Sequence, residues 1–450
     1  MAIIYNSLKN VWSNLLKESK SNISFLPLVL LLVSIPLKLG ISNVFLVIFL
    51  ISVLINKNKL KLAFSFEYVM PILLFLWMAL SYFWSVEPSK TINAIPKEIG
   101  LFLLPFSFFF LPLIRKQKQD AIHIYSFSIF FLALYFLARA FLRYFLTYDI
   151  NVFFYHGEYD NDYGLVPKVL NAIHVSVFVA VAFFYFFTKE DNSKRNYVIS
   201  AILFLFLALL SSKNIFIVVL LLIFVYLFFY SKIANKMRLR NSIILLSIII
   251  LVFSFGKIKE RFYLEFQSNS GKSISHNVVT GIPEGVHNVS IYEAWNNEKF
   301  TPNDFFPGTA FRVYQARLFF EFLNDEPIFW NGFGLNASFK KLEEKAKYYN
   351  VFTGNDELEG YQKKNFHNQY IQIFAELGLI GFVLLVLILF INLKNALNNK
   401  DFIHIAFAIL MISLFLTESF LWRQRGLIFF ALFYCLFNYK GEMLQLKSKL

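Results

Sequence analysis

Apolar residues in this chain come in long runs, separated by short basic or polar stretches. Ile215–Tyr230, for example, has no polar face at all. A run of about 20 apolar residues crosses the hydrocarbon layer as a helix. Backbone groups in lipid must be satisfied within the element, which leaves helices or closed barrels. Barrel strands alternate apolar and polar positions, and these runs do not. The pattern therefore predicts an all-α fold, a polytopic transmembrane helix bundle of about 12 spans. They lie near 23–38, 41–56, 68–84, 98–114, 121–146, 168–187, 197–212, 214–231, 241–256, 367–393, 402–420 and 425–439. The pair meeting at Ser211–Asn214 also reads as one long bent element.

One segment breaks the pattern. Residues 257–366 are polar, with Gly, Pro, Asn and charges throughout, and so long an insertion is uncommon unless it is functional or disordered. It has helical signals of its own. Phe311, Leu318, Phe319 and Phe322 recur at roughly helical spacing, with Pro327 just beyond, and Lys341–Tyr349 reads as a second, charged helix. The organisation predicted is thus an N-terminal bundle over 1–256, with about nine spans, a large loop over 257–366 folded as a small cap, and about three C-terminal spans over 367–450.

Composition agrees. The 450 residues are 57% hydrophobic and 16% charged, against about 25% charged in a soluble domain. The net charge of +14 does not point to nucleic acid, because the basic residues sit in short clusters between the apolar runs. Loops with Lys57, Lys59 and Lys61, with Arg115, Lys116 and Lys118, with Lys189, Lys194 and Arg195, and with Lys232, Lys236, Arg238 and Arg240 alternate with loops poorer in Lys and Arg. The positive-inside rule puts the basic set and both termini in the cytoplasm, and 148–167 and the large loop outside. The single cysteine, Cys435, excludes an intrachain disulfide. Lys9, Lys17 and Lys20 precede a first span without a small-residue cleavage site, so no cleaved signal peptide is expected.

His367 is the first candidate for chemistry. It lies in Phe366-His367-Asn368-Gln369-Tyr370, where the polar loop re-enters the apolar region. A neutral imidazole there is placed to accept a proton from a hydroxyl; the plainer alternative is an interfacial histidine that only hydrogen-bonds. Glu376 is ionisable at membrane depth and calls for a partner or a function, and Gly378 and Gly381 allow close helix approach. Arg312, in Gly308-Thr309-Ala310-Phe311-Arg312, offers a planar fork suited to phosphate. Pro327 and the turn Gly332-Phe333-Gly334 follow it. Arg317 and Glu321 read as an ordinary helix pair. A third group is cationic: Arg139 and Arg143 on one helix face, Lys213 in Ser211-Ser212-Lys213-Asn214, and Arg423 and Arg425 after Glu418. Snorkelling to the interface is the plainer account of each. Together they fit an anionic, lipid-linked ligand such as a diphosphate.

Three motifs are discounted. Gly271-Lys272-Ser273 resembles the end of a P-loop, but Phe266 stands where the first glycine belongs. Asn288-Val289-Ser290 fits a glycosylation pattern that is common by chance. Asp160-Asn161-Asp162 reads as an exposed acidic turn rather than a metal site.

Taken together, these residues resemble the O-antigen ligase and O-antigen polymerase superfamily of bacterial inner-membrane proteins. The resemblance rests on Arg312 with Pro327 and Gly332-Phe333-Gly334, then His367-Asn368-Gln369-Tyr370-Ile371-Gln372 and Glu376-Leu377-Gly378-Leu379-Ile380-Gly381. The motif-bearing region spans about 200–390, and the plan of spans around one large loop matches as well. The resemblance implies glycosyl transfer on the periplasmic face, inverting, independent of metal and of any cofactor. The donor implied is an undecaprenyl-diphosphate-linked glycan. The acceptor is a lipid A core sugar in a ligase, the preferred reading, or another lipid-linked repeat unit in a polymerase. It puts the functional histidine on His367 and the loop arginine on Arg312. A second arginine of the family falls on Lys213, which keeps the charge and loses the fork. Arg139 and Arg143 would add to diphosphate binding, and Asn368, Glu376, Gly332 and Gly334 would support the site. A lipid-linked oligosaccharide flippase, or a loop that only binds a partner, are the rival readings.

Overall fold

A computed structural model describes residues 13, 15–56, 65–155, 164–189, 193–231, 287–355 and 359–440. The predicted span 241–256, the Gly271-Lys272-Ser273 motif and Asp160-Asn161-Asp162 lie outside them. The described chain is mostly helical, with almost no strand. In order the helices are α1 (Phe25–Ser34), α2 (Leu39–Asn56), α3 (Phe66–Leu80), α4 (Pro88–Glu98), α5 (Gly100–Phe108), α6 (Arg115–Thr147), α7 (Ala172–Phe187), α8 (Lys194–Leu210), α9 (Lys213–Val225), α10 (Ile291–Asn296), α11 (Gly308–Asp325), α12 (Ser338–Tyr349), α13 (Gln369–Asn399), α14 (Phe402–Phe415) and α15 (Gln424–Phe437). The only sheet among the described residues is a parallel pair, β1 (His287–Asn288) and β2 (Asp304–Phe305).

Among the described residues, five stretches are long and apolar enough to cross a membrane: Leu39–Asn56, Phe66–Phe83, Arg115–Thr147, Lys213–Tyr230 and Gln369–Asn399. Four shorter apolar helices, Phe25–Ser34, Ala172–Phe187, Phe402–Phe415 and Gln424–Phe437, pack among them. Some predicted spans change shape. Across 98–114 there is only the nine-residue α5, set against the polar α4, with Pro96 and Pro105 inside the two helices. Over 23–38 the helix has ten residues, and Pro36 follows its end. Ser211, in the left-handed conformation at φ 52, ends α8 two residues before α9 starts, so this pair is two helices and not one bent element. The 402–420 helix stops at Phe415, which leaves Leu416–Arg423 as a connection outside the α-helices, with a 3₁₀ turn at Phe420–Trp422.

The described residues form two hydrophobic cores. The larger fills the bundle, where α13 packs on α3 and α14, α15 on α5, and α9 on α14. The smaller lies in the cap, where Phe311, Tyr314, Leu318 and Phe322 of α11 meet Leu342, Ala346 and Tyr349 of α12. Both predicted cap helices are present.

The cap is tied to the bundle where α13 breaks. Gly378 has φ 65 and ψ −166, which interrupts the helix. The turn predicted at Gly332-Phe333-Gly334 threads against this break. Phe333 N–H donates to the Ala375 carbonyl at 2.8 Å, and Gly334 N–H to the Glu376 carbonyl at 2.8 Å. Leu379 N–H donates to the Phe329 carbonyl at 2.7 Å, and Trp77 Nε1 to the Leu377 carbonyl at 2.9 Å. Groups that the lost helical bonds would orphan are thus satisfied from protein, as irregular backbone at membrane depth requires. Glycine is needed on both sides. A Cβ on Gly332 would lie 2.2 Å from the Glu376 carbonyl carbon, and one on Gly378 2.2 Å from that of Trp330.

Candidate active site

His367 sits just before α13. Asn368 caps that helix, its Oδ1 accepting from the N–H of Tyr370 at 3.0 Å and of Ile371 at 3.1 Å. Its Nδ2 donates to the Leu416 carbonyl at 3.2 Å. His367 N–H donates to Asn365 Oδ1 at 3.0 Å, and its backbone is left-handed, φ 46, a conformation uncommon outside glycine. The ring packs edge-on to Phe311 of α11, centroids 5.6 Å apart.

Behind the imidazole stands a carboxylate. His367 Nδ1 lies 3.5 Å from Glu418 Oε2, with the Glu418 side chain 4% exposed and that of His367 29% exposed. Burial pushes the Glu418 carboxyl up, but the His367 hydrogen bond and the charges of His367, His174 and Arg312 outweigh it and hold it at about 2. Glu418 is therefore an anion at neutral pH. With Nδ1 turned towards this carboxylate, the other ring nitrogen, Nε2, is the one left to meet a hydroxyl.

Arg312 reaches the same turn from the cap. Its Nε and Nη2 donate to the Thr417 carbonyl at 3.0 and 2.9 Å, and its Nη1 to the Gly308 carbonyl at 2.8 Å. Three of the five guanidinium N–H groups are thus committed to backbone. From the bundle, Asn214 Nδ2 donates to Thr417 Oγ1 and to the Ser413 carbonyl, both at 2.7 Å. Lys213 is its chain neighbour at the start of α9. His367, Arg312 and the α9 start, far apart in sequence, converge on Thr417–Glu418.

Other predicted residues take other places. Glu376 is 1% exposed; its Oε1 accepts from Ser338 Oγ at 3.0 Å and from Gln372 Nε2, bracing the cap against α13. Gly332 and Gly334 serve the helix break. Arg139 and Arg143 lie on α6, which packs on α1, α7 and α8. The Arg139 guanidinium stands 5.8 Å above Phe136, and Arg143 Nη1 reaches the Gly164 carbonyl at 3.5 Å. Neither contact leads to His367. Arg425 is buried and donates to the Val169 and Leu37 carbonyls, each at 2.9 Å, so it clamps two loops and is not a ligand-facing cation. Arg423 is exposed on the turn after Glu418. Lys364, not singled out in the sequence, lies over the rings of Phe311 at 5.7 Å and Tyr361 at 5.3 Å, beside the His367 ring's neighbour.

Residues 198–386 match the O-Antigen ligase family model. That part of the chain belongs to the O-antigen ligase and polymerase superfamily. The O-antigen ligase domain covers a little under half of the chain and contains Lys213, Arg312, Gly332, Gly334, His367, Asn368 and Glu376. The match and the apolar helices fit a bacterial inner-membrane protein of glycosyltransferase-like type. Arg139, Arg143 and Glu418 fall outside the matched stretch. No curated protein matches the chain.

Sequence reading noted Glu418 only as the residue before two arginines and missed its pairing with His367. The signal was present: a glutamate among apolar residues has to find a partner. Nothing local named which partner.

Proposed function

We propose that this protein transfers a polysaccharide from undecaprenyl diphosphate to a sugar of the lipid A core at the periplasmic face, an O-antigen ligase reaction. The observation that supports it is the meeting of His367 and Arg312 on Thr417–Glu418. An imidazole backed by a buried carboxylate suits deprotonation of a hydroxyl, and a guanidinium beside it suits the charge of a departing diphosphate.

In this reading the acceptor hydroxyl oxygen attacks the anomeric carbon of the donor. The bond from that carbon to the diphosphate oxygen breaks, and the electron pair leaves with the diphosphate. The hydroxyl proton passes to Nε2 of His367. Attack opposite the leaving group inverts the anomeric centre. The two remaining N–H groups of Arg312, with Lys213 and Lys364, meet the diphosphate charge, so the step calls on no metal. Arg139 and Arg143 are left out of this set, because α6 packs elsewhere. A diphosphate leaves readily, so the protein mainly positions its two substrates, and general-base help contributes typically ~10²–10⁴-fold.

The test is genetic and biochemical. Deletion in the host, followed by a lipopolysaccharide gel, should strand long polymer on the carrier lipid, and wild type but not His367→Ala should restore its transfer. A core bearing a single repeat instead would make the protein a polymerase. Full complementation by His367→Ala would remove the histidine from the chemistry. A flippase would need access from both leaflets, whereas transfer needs one, and the polar groups here gather at one end of α13.

A further inference from the structure

The edge of the cap beside α13 carries an exposed aromatic strip. Trp295, Phe320, Phe329 and Trp330 are 44, 52, 47 and 62% exposed. Their rings connect: Trp295 to Phe320 at 6.0 Å, Phe320 to Phe319 at 5.6 Å, Phe319 to Phe374 at 5.3 Å, Phe374 to Phe329 at 5.9 Å and Phe329 to Trp330 at 5.1 Å. Phe374 also reaches Phe382, further down α13, at 5.6 Å. Below it, Ile380, Val383, Val386, Leu387 and Phe390 are exposed on α13.

The depth of this strip is set by backbone. The Phe329 carbonyl accepts from Leu379 N–H at 2.7 Å. Leu379 opens the run Leu379–Ile391, which has no polar side chain and belongs to a helix long enough to cross a membrane. Wherever that run enters the hydrocarbon, Phe329 and Trp330 enter beside it. The backbone accounting agrees: the turn and the helix break exchange hydrogen bonds with each other, an arrangement that lipid demands. The side-chain chemistry agrees as well, since a tryptophan suits the boundary between headgroups and acyl chains, and the next residue is the exposed, polar Asn331. Part of the cap's charge is gathered in one groove. Glu321, Asp325, Glu326, Lys341 and Lys345 line a groove of about 440 Å³ between α11 and α12, with Tyr348 at its rim.

We propose that Phe329 and Trp330 form a membrane-inserted wedge, with lipid acyl chains as the partner of this face of the cap. The aromatic strip continues the lipid-facing side of α13 upward onto the cap. The wedge ties the cap, and with it Arg312 on α11, to the leaflet. It does not depend on the transfer reaction.

Depth measurement tests it on the full chain in phosphatidylcholine vesicles. Cys435 is the native cysteine and is buried, so Cys435→Ala gives a background for single spin labels. Labels at Phe329→Cys and Trp330→Cys should collide more often with oxygen than with a water-soluble nickel chelate, as a label at Phe390→Cys does. A label at Tyr348→Cys should show the reverse. If the labels at 329 and 330 behave like the one at 348, the wedge is wrong. Because a label could disturb the docked turn, a second measurement uses wild type and Trp330→Phe in vesicles of brominated phosphatidylcholine. The quenched share of the tryptophan fluorescence should fall in Trp330→Phe, and an unchanged share would overturn the proposal. Neither readout involves glycosyl transfer.

Discussion

Two of the joints between the cap and the bundle have opposite character. At Gly378, backbone meets backbone, buried, with glycines on both sides where no Cβ fits. At Thr417–Glu418, side chains meet a short turn, and the histidine there keeps partial access to solvent. The first joint holds two elements at a set distance. The second places an imidazole, a guanidinium and a carboxylate where a ligand can still reach them. A site on rigid support with its reactive groups at the edge is what precise positioning requires.

Substitutions should separate the two joints. The largest effect is expected from Gly378→Val. It forces a left-handed position on a β-branched residue and drives a Cβ into Trp330, together roughly 2–6 kcal/mol, a large part of a typical stability of about 5–15 kcal/mol. Yield of monodisperse protein and thermal melting in detergent should both collapse; wild-type melting would mean that the break is not rigid. His367→Ala comes next. It should melt like wild type and lose ~10²–10⁴-fold in transfer rate. A loss of melting temperature in step with activity would make the second joint structural too.

Glu418→Gln should lower the rate less, about ten- to a hundredfold, since the imidazole remains and only its orienting anion is gone. The sign for stability follows from the depressed carboxyl. With Glu418 held at about 2 in the fold, its contribution is present above the ordinary carboxylate range and is lost as pH falls towards 2. A wild-type rate in Glu418→Gln would separate this residue from the histidine. The smallest effect is Arg312→Lys, about three- to tenfold in rate, because lysine keeps the charge but cannot hold the Thr417 carbonyl with two N–H groups. An unchanged rate would reduce Arg312 to a simple cation.

Much of the plan was legible. Unbroken apolar runs announced a helical membrane protein, and the polar stretch with Phe311, Leu318, Phe319 and Phe322 announced a cap helix. His367 and Arg312 stood out because histidine and arginine are conspicuous at such places. Other features were not legible for definite reasons. The stop at Phe415, the nine-residue α5 and the interruption at Gly378 all occur inside apolar stretches, where hydropathy does not register a turn. Arg425 looked like a ligand-facing cation and proved to be a clamp, because a carbonyl of Val169 and another of Leu37 arrive beside it from distant parts of the chain.

What the sequence determined alone is what depends on each residue's own solvation: apolar runs leave water as helices, and charged or hydrogen-bonding groups among them must find partners. Which partners they find is a matter of distance between elements remote in sequence. Only the tertiary structure brings Glu418 behind His367, Thr417 under Arg312 and Gly332 onto Glu376. Hydrogen bonds and ion pairs act over a few ångströms, and no periodicity along the chain encodes that separation.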